Sequence, residues 1–155
     1  MTETQDYLLE DSIEIAAPPA KVWSLVSDIP AMARWSPQVV RSKVKGGAVR
    51  EGARFTNVNR DKLLFWPTNG KVVRFVPERE IAFRIKENKT VWSFRLEPTD
   101  TGGTRVVQRR EAPDGVSEIS TRLVNVALGG QEEFTRKLRE GMRQTLERIK
   151  VEAES

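Results

Sequence analysis

Alternation of apolar and polar residues dominates the first two-thirds of the chain and predicts β-strands. The first predicted strand places Ile13 and Ile15 on one face, and the second places Val40 and Val44 in one phase. The predicted strands cover residues 12–16, 39–44, 54–59, 65–76, 81–85, 92–96 and 104–111. Turns rich in glycine, proline or charged residues separate them, as is usual in an antiparallel sheet.

Two short helices are predicted between the first two strands. The pair Pro18-Pro19 ends the first strand, and proline is favourable at the first position of a helix. Residues 20–27 then carry apolar side chains at helical spacing. Asp28 follows as the expected N-cap of a second short helix through residues 31–35.

The C-terminal part of the chain has helical periodicity. The apolar spacing of residues 116–128 predicts a helix, and Gly129-Gly130 is expected to interrupt it. Residues 131–152 carry one apolar stripe, and their other faces are charged. The stripe consists of Phe134, Leu138, Met142, Leu146 and Ile149. Such a helix of about 22 residues is roughly 33 Å long, which is enough to cross a small domain.

This order of elements predicts an α+β fold. Because the helices lie at the ends of the run of strands, the sheet is expected to be antiparallel. We expect about seven strands, curved around the long C-terminal helix, with two short helices after strand one. A curved sheet and a straight helix do not touch along their full length, so a ligand cavity is expected between them. Residues 1–11 are interpreted as an N-terminal extension and residues 12–153 as one domain.

The composition of the 155 residues excludes several classes of enzyme. The chain has no Cys, which removes thiol nucleophiles, thiolate metal sites and disulfides. It also has no His, the commonest general base and metal ligand. Zinc enzymes, Ser-His-Asp hydrolases and cysteine proteases are therefore excluded together. Only scattered carboxylates remain as metal ligands, so neither a metal nor another cofactor is expected.

The charges argue against nucleic acid as a partner. There are 26 Lys and Arg against 22 Asp and Glu, a net charge of +4, but the two signs are mixed along the chain.

No apolar run reaches the length of a transmembrane helix. Residues 1–11 contain four acidic residues and no Lys or Arg, unlike a secretory signal. We therefore expect a cytoplasmic protein.

The segment from Ser12-Ile-Glu-Ile-Ala to Trp35-Ser-Pro37 carries a family resemblance. It resembles the opening of the polyketide cyclase/dehydrase and lipid-transport proteins, which belong to the START-related, birch-pollen-allergen superfamily. The segments similar to this family are residues 12–37, 66–73, 77–83, 92–98, 102–106 and 141–150. Their order and spacing extend the resemblance over nearly the whole chain.

The resemblance implies the helix-grip fold, with a hydrophobic cavity between the sheet and the C-terminal helix. Members of the family bind lipids, sterols, polyketides or other apolar molecules, and some catalyse cyclisation or aromatisation of a polyketide chain. We therefore expect a hydrophobic small-molecule ligand of the lipid, sterol or polyketide-like kind. We also expect transient contact with a membrane, and a protein that is a monomer or a weak homodimer.

Large aromatic side chains are the first candidates for lining this cavity, because an indole combines an apolar face with one N–H donor. The aromatic candidates are Trp35, Phe55, Trp66, Phe75, Phe83, Trp92 and Phe94. From the C-terminal helix we add Leu138 and Met142, whose flexible side chain adapts to varied shapes. Packing in an ordinary hydrophobic core is the alternative for each of them.

The polar candidates are Asn57, Gln108 and Arg110. If Trp92 and Phe94 face inward, a tight hairpin at Gly102-Gly103 places Val106, Gln108 and Arg110 on the same face. A register shifted by one residue places Val107, Arg109 and Glu111 inward instead. We prefer the first register, by analogy with the strands of the family. An inward Arg110 is suited to bind a carboxylate, phosphate or enolate oxygen.

The sequence favours a non-catalytic binding protein over an enzyme. Proton transfer by a cyclase requires titratable groups in the cavity, but there is no His, and the only Tyr, Tyr7, precedes the first strand. Asp61 or Glu111 would be the remaining bases, provided that burial raises the pKa of the carboxyl. The alternative function is therefore a polyketide cyclase or aromatase-like enzyme. A third hypothesis is an interaction module that acts through its basic surface.

Overall fold

The computed structural model describes residues 8–113 and 130–155, which form one seven-stranded antiparallel sheet and three α-helices. The strands are β1 (Leu9–Ile15), β2 (Val39–Val44), β3 (Arg54–Asp61), β4 (Leu64–Val76), β5 (Glu80–Ile85), β6 (Val91–Pro98) and β7 (Thr104–Glu111). The helices are α1 (Pro19–Val26), α2 (Met32–Trp35) and α3 (Gln131–Glu154), and a 3₁₀ turn (Ile29–Ala31) leads into α2.

Strands β2 to β7 form a meander in which every strand pairs with the next strand of the chain. β1 instead pairs with β7, so the strand order is β1-β7-β6-β5-β4-β3-β2. Helices α1 and α2 lie on the connection that crosses from one edge of the sheet to the other. The predicted α+β helix-grip architecture is thereby confirmed.

Helix α3 packs along the sheet through the stripe that the sequence predicts. Leu138, Met142, Leu146 and Ile149 are all buried, while the opposite faces are exposed and charged. The helix contacts β1, α1 and α2. It has 24 residues and therefore extends about 36 Å, two residues beyond the predicted end. Among the described residues, none of the helices has the apolar length that a membrane span requires.

One local prediction is wrong, and a second holds in position only. Val40 does not share the buried phase of Val44: Val39 and Val44 are buried, whereas Val40 is exposed. A β-bulge between Val39 and Arg41 inserts an extra residue and so changes the phase of the alternation. Asp28 occupies the N-cap position of the 3₁₀ turn that leads into α2, but its side chain makes no capping hydrogen bond.

The predicted and the observed elements differ more at their ends than in their interiors. β1 begins at Leu9, so the last residues of the expected N-terminal extension belong to the sheet. Leu9 is buried and packs with Leu138 and Met142 of α3, which explains why the strand starts there. The predicted helix 116–128 and Tyr7 lie outside the described residues.

A close approach between β3 and β4 shapes the core beside the sheet. Gly70 stands opposite Phe55, and the ring of Phe55 lies over the Cα of Gly70, so that a Cβ there would overlap the ring. Phe55 in turn meets Phe83 edge to face, with 5.5 Å between ring centroids. These contacts fill the space between sheet and helices at this level of the fold.

Candidate functional site

A cavity of about 310 Å³ lies between the concave face of the sheet and α3. Its walls come from β3 to β7, from α3, and from the segment of α2 and the start of β2. The size falls at the lower end of the range for small-molecule sites. Exposed lining residues, Arg60, Glu140 and Gln144, mark the side on which the cavity meets solvent.

Aromatic and aliphatic side chains make most of the wall. Trp66, Phe83, Trp92 and Phe94 project from neighbouring strands, because residues of one phase on each strand share the concave face. From α3, Phe134, Leu138 and Met142 face them at helical spacing. The sheet side of the cavity is therefore mainly aromatic, and the helix side combines the Phe134 ring with the flexible side chains of Leu138 and Met142.

Several polar side chains of the wall already have hydrogen-bond partners. The Nδ2 group of Asn59 donates to the Trp66 carbonyl at 3.2 Å and to Thr68 Oγ1 at 2.9 Å. The Oδ1 atom of Asn57 accepts a hydrogen bond from Ser42 Oγ. Both amides are buried, at 4% and 5% exposure for Asn57 and Asn59. These bonds hold the two amides in fixed orientations at the wall.

Gln108 and Arg110 of β7 face the cavity, in the preferred one of the two registers. Phe94 stands opposite Gln108, and Trp92 stands opposite Arg110. Both polar side chains are buried, with 5% and 7% of their surface exposed. The Arg110 guanidinium carbon lies 5.9 Å from the centroid of the Trp92 ring, within range of a cation–π interaction.

The shifted register does not occur. Arg109 lies on the opposite face and forms an ion pair with Glu10, with 3.0 Å between Nε and Oε1. Of the two candidate bases, Asp61 lines the cavity and Glu111 does not. Asp61 is paired with Lys137 of α3, with Nζ and Oδ2 2.9 Å apart. Within the described part of the chain, no three acidic side chains converge as a metal site would require.

Nine of the twelve predicted ligand-binding residues line this one cavity. They are Asn57, Trp66, Phe83, Trp92, Phe94, Gln108, Arg110, Leu138 and Met142. The remaining three do not reach it. Phe55 is covered by Gly70 and Phe83, Phe75 packs edge to face on Trp23 of α1 at 5.4 Å, and Trp35 is buried in the core beneath α3.

The cavity wall also contains residues that are absent from the predicted set. Thr68 faces the cavity opposite Asn57, and strand alternation from Trp66 would have found it. Thr145 follows Leu138 by two helical turns, so the helical period was a usable signal. Met32 in the four-residue helix α2, Pro37 in the loop after it and Val39 at the bulged start of β2 also line the cavity, and these elements are too short or irregular for periodicity to predict the direction of a side chain.

With this geometry established, comparison with known proteins assigns the family. The chain belongs to the polyketide cyclase/dehydrase and lipid transport family, whose model matches residues 8–154. A search of functionally curated proteins finds no match.

Solved structures share the fold at low sequence identity. The di-domain aromatase/cyclase StfQ of the steffimycin biosynthetic pathway is 16% identical with a TM-score of 0.76, over 99% of this chain and 53% of StfQ. This chain therefore spans about half the length of that protein. The Zhui aromatase/cyclase from Streptomyces sp. R1128 is 17% identical, with a TM-score of 0.70 over 95% of this chain and 93% of Zhui. The polyketide-cyclase-like protein Cgl2372 from Corynebacterium glutamicum is 27% identical, with a TM-score of 0.61 over 92% and 88% of the two chains.

Proposed function

We propose that this protein binds or carries a hydrophobic small molecule of the lipid, sterol or polyketide-like kind in the cavity between sheet and α3. The observation that carries the proposal is a cavity of about 310 Å³ with an aromatic wall on the sheet side. Burial of an apolar ligand against this wall supplies the favourable free energy of binding. A few buried polar groups, Gln108 and Arg110 above all, provide orientation.

Binding is favoured over catalysis by the kinds of polar group at the wall. Amides and hydroxyls predominate there, and they neither donate nor accept a proton readily near neutral pH. Asp61 is engaged in the ion pair with Lys137, which competes with a role as general base. The chain has no His to supply the missing proton transfer.

A cyclase or aromatase-like enzyme is the second candidate, and Arg110 is the observation that favours it. A buried guanidinium at the wall can stabilise an enolate oxygen, the charge that develops during cyclisation of a polyketide. StfQ and Zhui, which share this fold, are themselves described as aromatase/cyclases. Incubation with a poly-β-ketone substrate tests this candidate. New aromatic absorbance that the Arg110→Gln variant loses would support an enzyme.

The binding proposal is tested by filling the cavity. Leu138→Trp places an indole in the cavity, and Val151→Trp places one on the exposed surface of the same helix as the matched control. Titration with 1-anilinonaphthalene-8-sulfonate should show binding to the wild type and to Val151→Trp, and binding about tenfold weaker or absent in Leu138→Trp. Equal binding by all three proteins would contradict the proposal. Native mass spectrometry of protein purified from its own host then identifies the bound molecule.

The proposal includes transient contact with a lipid surface. Leu63 at the tip of the β3–β4 hairpin is 90% exposed, and Phe65 beside it is 55% exposed. The hairpin also carries Arg60, which lines the side of the cavity that meets solvent. An apolar tip flanked by cations is the composition that enters a lipid interface. A cytoplasmic location and a monomeric or weakly dimeric state complete the proposal, and light scattering of the purified protein tests the latter.

A further inference from the structure

A second depression, of about 440 Å³, lies at the connection between β2 and β3 and shares no lining residue with the cavity between sheet and α3. Three cations, Lys45, Arg50 and Arg54, line it beside one carboxylate, Glu51. All four residues are exposed, and none forms an ion pair within the described residues. Because the other lining residues are glycine and alanine, the depression is dominated by positive charge.

The register of the sheet adds a cation of β4 to this group. The N–H of Lys45 donates to the Arg54 carbonyl at 2.8 Å, and Lys71 stands directly opposite Arg54. Residues opposite each other on neighbouring strands have side chains on the same face, with Cβ atoms about 4.5–5.5 Å apart. Lys45, Arg54 and Lys71 therefore form a row of like charges, which destabilises the sheet unless an anion lies against it.

Protection of the sheet edge explains only part of this row. β2 is an edge strand, and lysines on an edge strand hinder pairing with another sheet. Arg54 of β3 and Lys71 of β4 lie on strands that are paired on both sides, so they protect no edge. A bound anion accounts for the cations on all three strands.

The excess of positive charge is concentrated in one half of the sheet. Residues 39–76, from β2 to β4, contain nine Lys or Arg and two Asp or Glu, whereas the whole chain has a net charge of only +4. In the other half, Arg95 and Arg105 both pair with Glu97, and Arg109 pairs with Glu10. The row of unpaired cations is therefore a local feature and does not follow from the general composition of the sheet surface.

We propose that the depression between β2 and β3 binds a small molecule that carries several phosphate charges, such as a diphosphate or triphosphate. The guanidinium groups of Arg50 and Arg54 suit phosphate oxygens in a two-pronged geometry, and Lys45 and Lys71 add point charges. A protein partner would need aromatic or large apolar residues at the centre of the contact, and the lining has none. This site is separate from the apolar cavity and does not depend on the function proposed for it.

Sodium tripolyphosphate is the probe for the first experiment. Isothermal titration of the full chain at low salt should show tripolyphosphate binding about tenfold more tightly than inorganic phosphate, because it presents more charge to the row of cations. Added sodium chloride should weaken the binding, since the cations are exposed. Failure of tripolyphosphate to bind would overturn the proposal.

Three variants locate the binding. Lys45→Gln/Arg54→Gln should bind tripolyphosphate about tenfold more weakly than the wild type. Arg79→Gln/Lys89→Gln removes the same two kinds of charge from exposed turns elsewhere and should bind within about twofold of the wild type. Glu51→Gln removes the only carboxylate of the lining and should bind about two- to threefold more tightly. Equal losses in the two double variants, or weaker binding by Glu51→Gln, would contradict a site in this depression.

Thermal stability without ligand gives an independent readout. Arg54→Gln relieves the repulsion with Lys45 and Lys71, so we expect an unchanged or higher melting temperature. Tripolyphosphate should raise the melting temperature of the wild type and have less effect on Arg54→Gln. A lower melting temperature of Arg54→Gln without ligand would contradict the like-charge argument.

Vesicles that contain phosphatidylinositol 4,5-bisphosphate distinguish the sources of the phosphate. If Lys45→Gln/Arg54→Gln loses affinity for both tripolyphosphate and these vesicles, the site is supported and accepts a lipid headgroup. If it loses affinity for tripolyphosphate alone, the site is supported and its ligand is free in solution. Binding of a single-stranded oligonucleotide without binding of tripolyphosphate would overturn the proposal in favour of an extended nucleic-acid backbone.

Discussion

Lys137 and Asp61 join the long C-terminal helix to the end of β3, with 2.9 Å between Nζ and Oδ2. Both side chains line the cavity, and both are partly shielded from solvent, at 31% and 17% exposure. The pair thus links the two sides of the wall near the place where the cavity meets solvent. Because the charges are neither fully buried nor fully solvated, the pair is expected to contribute at the upper end of the range for surface ion pairs.

A double-mutant cycle measures this contribution. We expect the variants Lys137→Met and Asp61→Asn to show a coupling energy of about 0.5–1 kcal/mol in chemical denaturation, decreasing with added salt. The more exposed pair of Arg34 and Glu152 joins α2 to α3 and serves as the matched control, with coupling near zero. Equal coupling energies for the two pairs would show that partial burial at the cavity wall does not strengthen the pair of Lys137 and Asp61.

The dissociation rate of a bound ligand tests the same pair by another route. Loss of the ion pair in Lys137→Met releases one connection between α3 and β3, so we expect faster dissociation of 1-anilinonaphthalene-8-sulfonate in a stopped-flow displacement experiment. The increase should be about two- to fivefold, corresponding to the coupling energy above. Arg34→Met should leave the rate unchanged, because Arg34 does not line the cavity.

The contact of Gly70 with the Phe55 ring leads to a prediction about the stability of the core. Gly70→Ala introduces a Cβ into the space of that ring, so Phe55 must move toward Phe83. We expect a loss of about 1–3 kcal/mol of unfolding free energy, measured by urea denaturation. In a Phe55→Leu background the smaller side chain leaves room, and Gly70→Ala should cost clearly less. A loss that is the same in both backgrounds would show that backbone conformation, and not the ring, requires glycine.

Periodicity predicted the elements of this fold well because the half-buried strands alternate and α3 has a single buried stripe. The hairpin at Gly102-Gly103 left two registers of β6 and β7 open, and the analogy with the strands of the family selected the one that occurs. The bulge at Val40 could not be predicted in this way. A bulge depends on the pairing with β3, which local sequence does not specify.

The kinds of residue that line the cavity could be predicted from the sequence. Which of the large aromatic residues reach the cavity was harder to predict. A large aromatic residue has the same sequence signature whether it packs in a core or lines a cavity. Phe55, Phe75 and Trp35 lie where α1, α3 or a neighbouring ring meets the sheet closely. Trp66 and Trp92 border the cavity, although Trp92 also packs against the cluster of Leu9, Leu138 and Met142. That separation depends on the curvature of the whole sheet, which no single segment determines.

The pH dependence of stability should include a contribution from Glu154 at the end of α3. Hydrogen bonds from Lys150 and then from the backbone N–H of Ala16 hold the pKa of this carboxyl below its ordinary value of 4.5. A pKa that is lower in the folded state than in the unfolded state stabilises the protein above the unfolded value. This stabilisation is lost as the pH falls through the folded value.

Thermal denaturation at two pH values tests this contribution. Glu154→Gln should lower the melting temperature near neutral pH, and the difference from the wild type should disappear on acidification well below pH 4.5. Glu147→Gln, which changes an exposed charge on the same helix, should have little effect at either pH. A difference for Glu154→Gln that persists unchanged in acid would show that the carboxylate charge is not responsible.

The exposed tip of the β3–β4 hairpin leads to a prediction about lipid surfaces. Burial of Leu63 and Phe65 in a lipid interface is favourable, and Arg60 and Lys62 beside them suit anionic headgroups. We expect the wild-type protein to co-sediment with vesicles that contain phosphatidylserine, and Leu63→Ser/Phe65→Ser to bind them about tenfold more weakly. Val76→Ser/Val151→Ser removes two other exposed apolar side chains and should bind as the wild type does. Equal losses in the two double variants would point to general surface hydrophobicity, and no loss in either would exclude the hairpin as the contact.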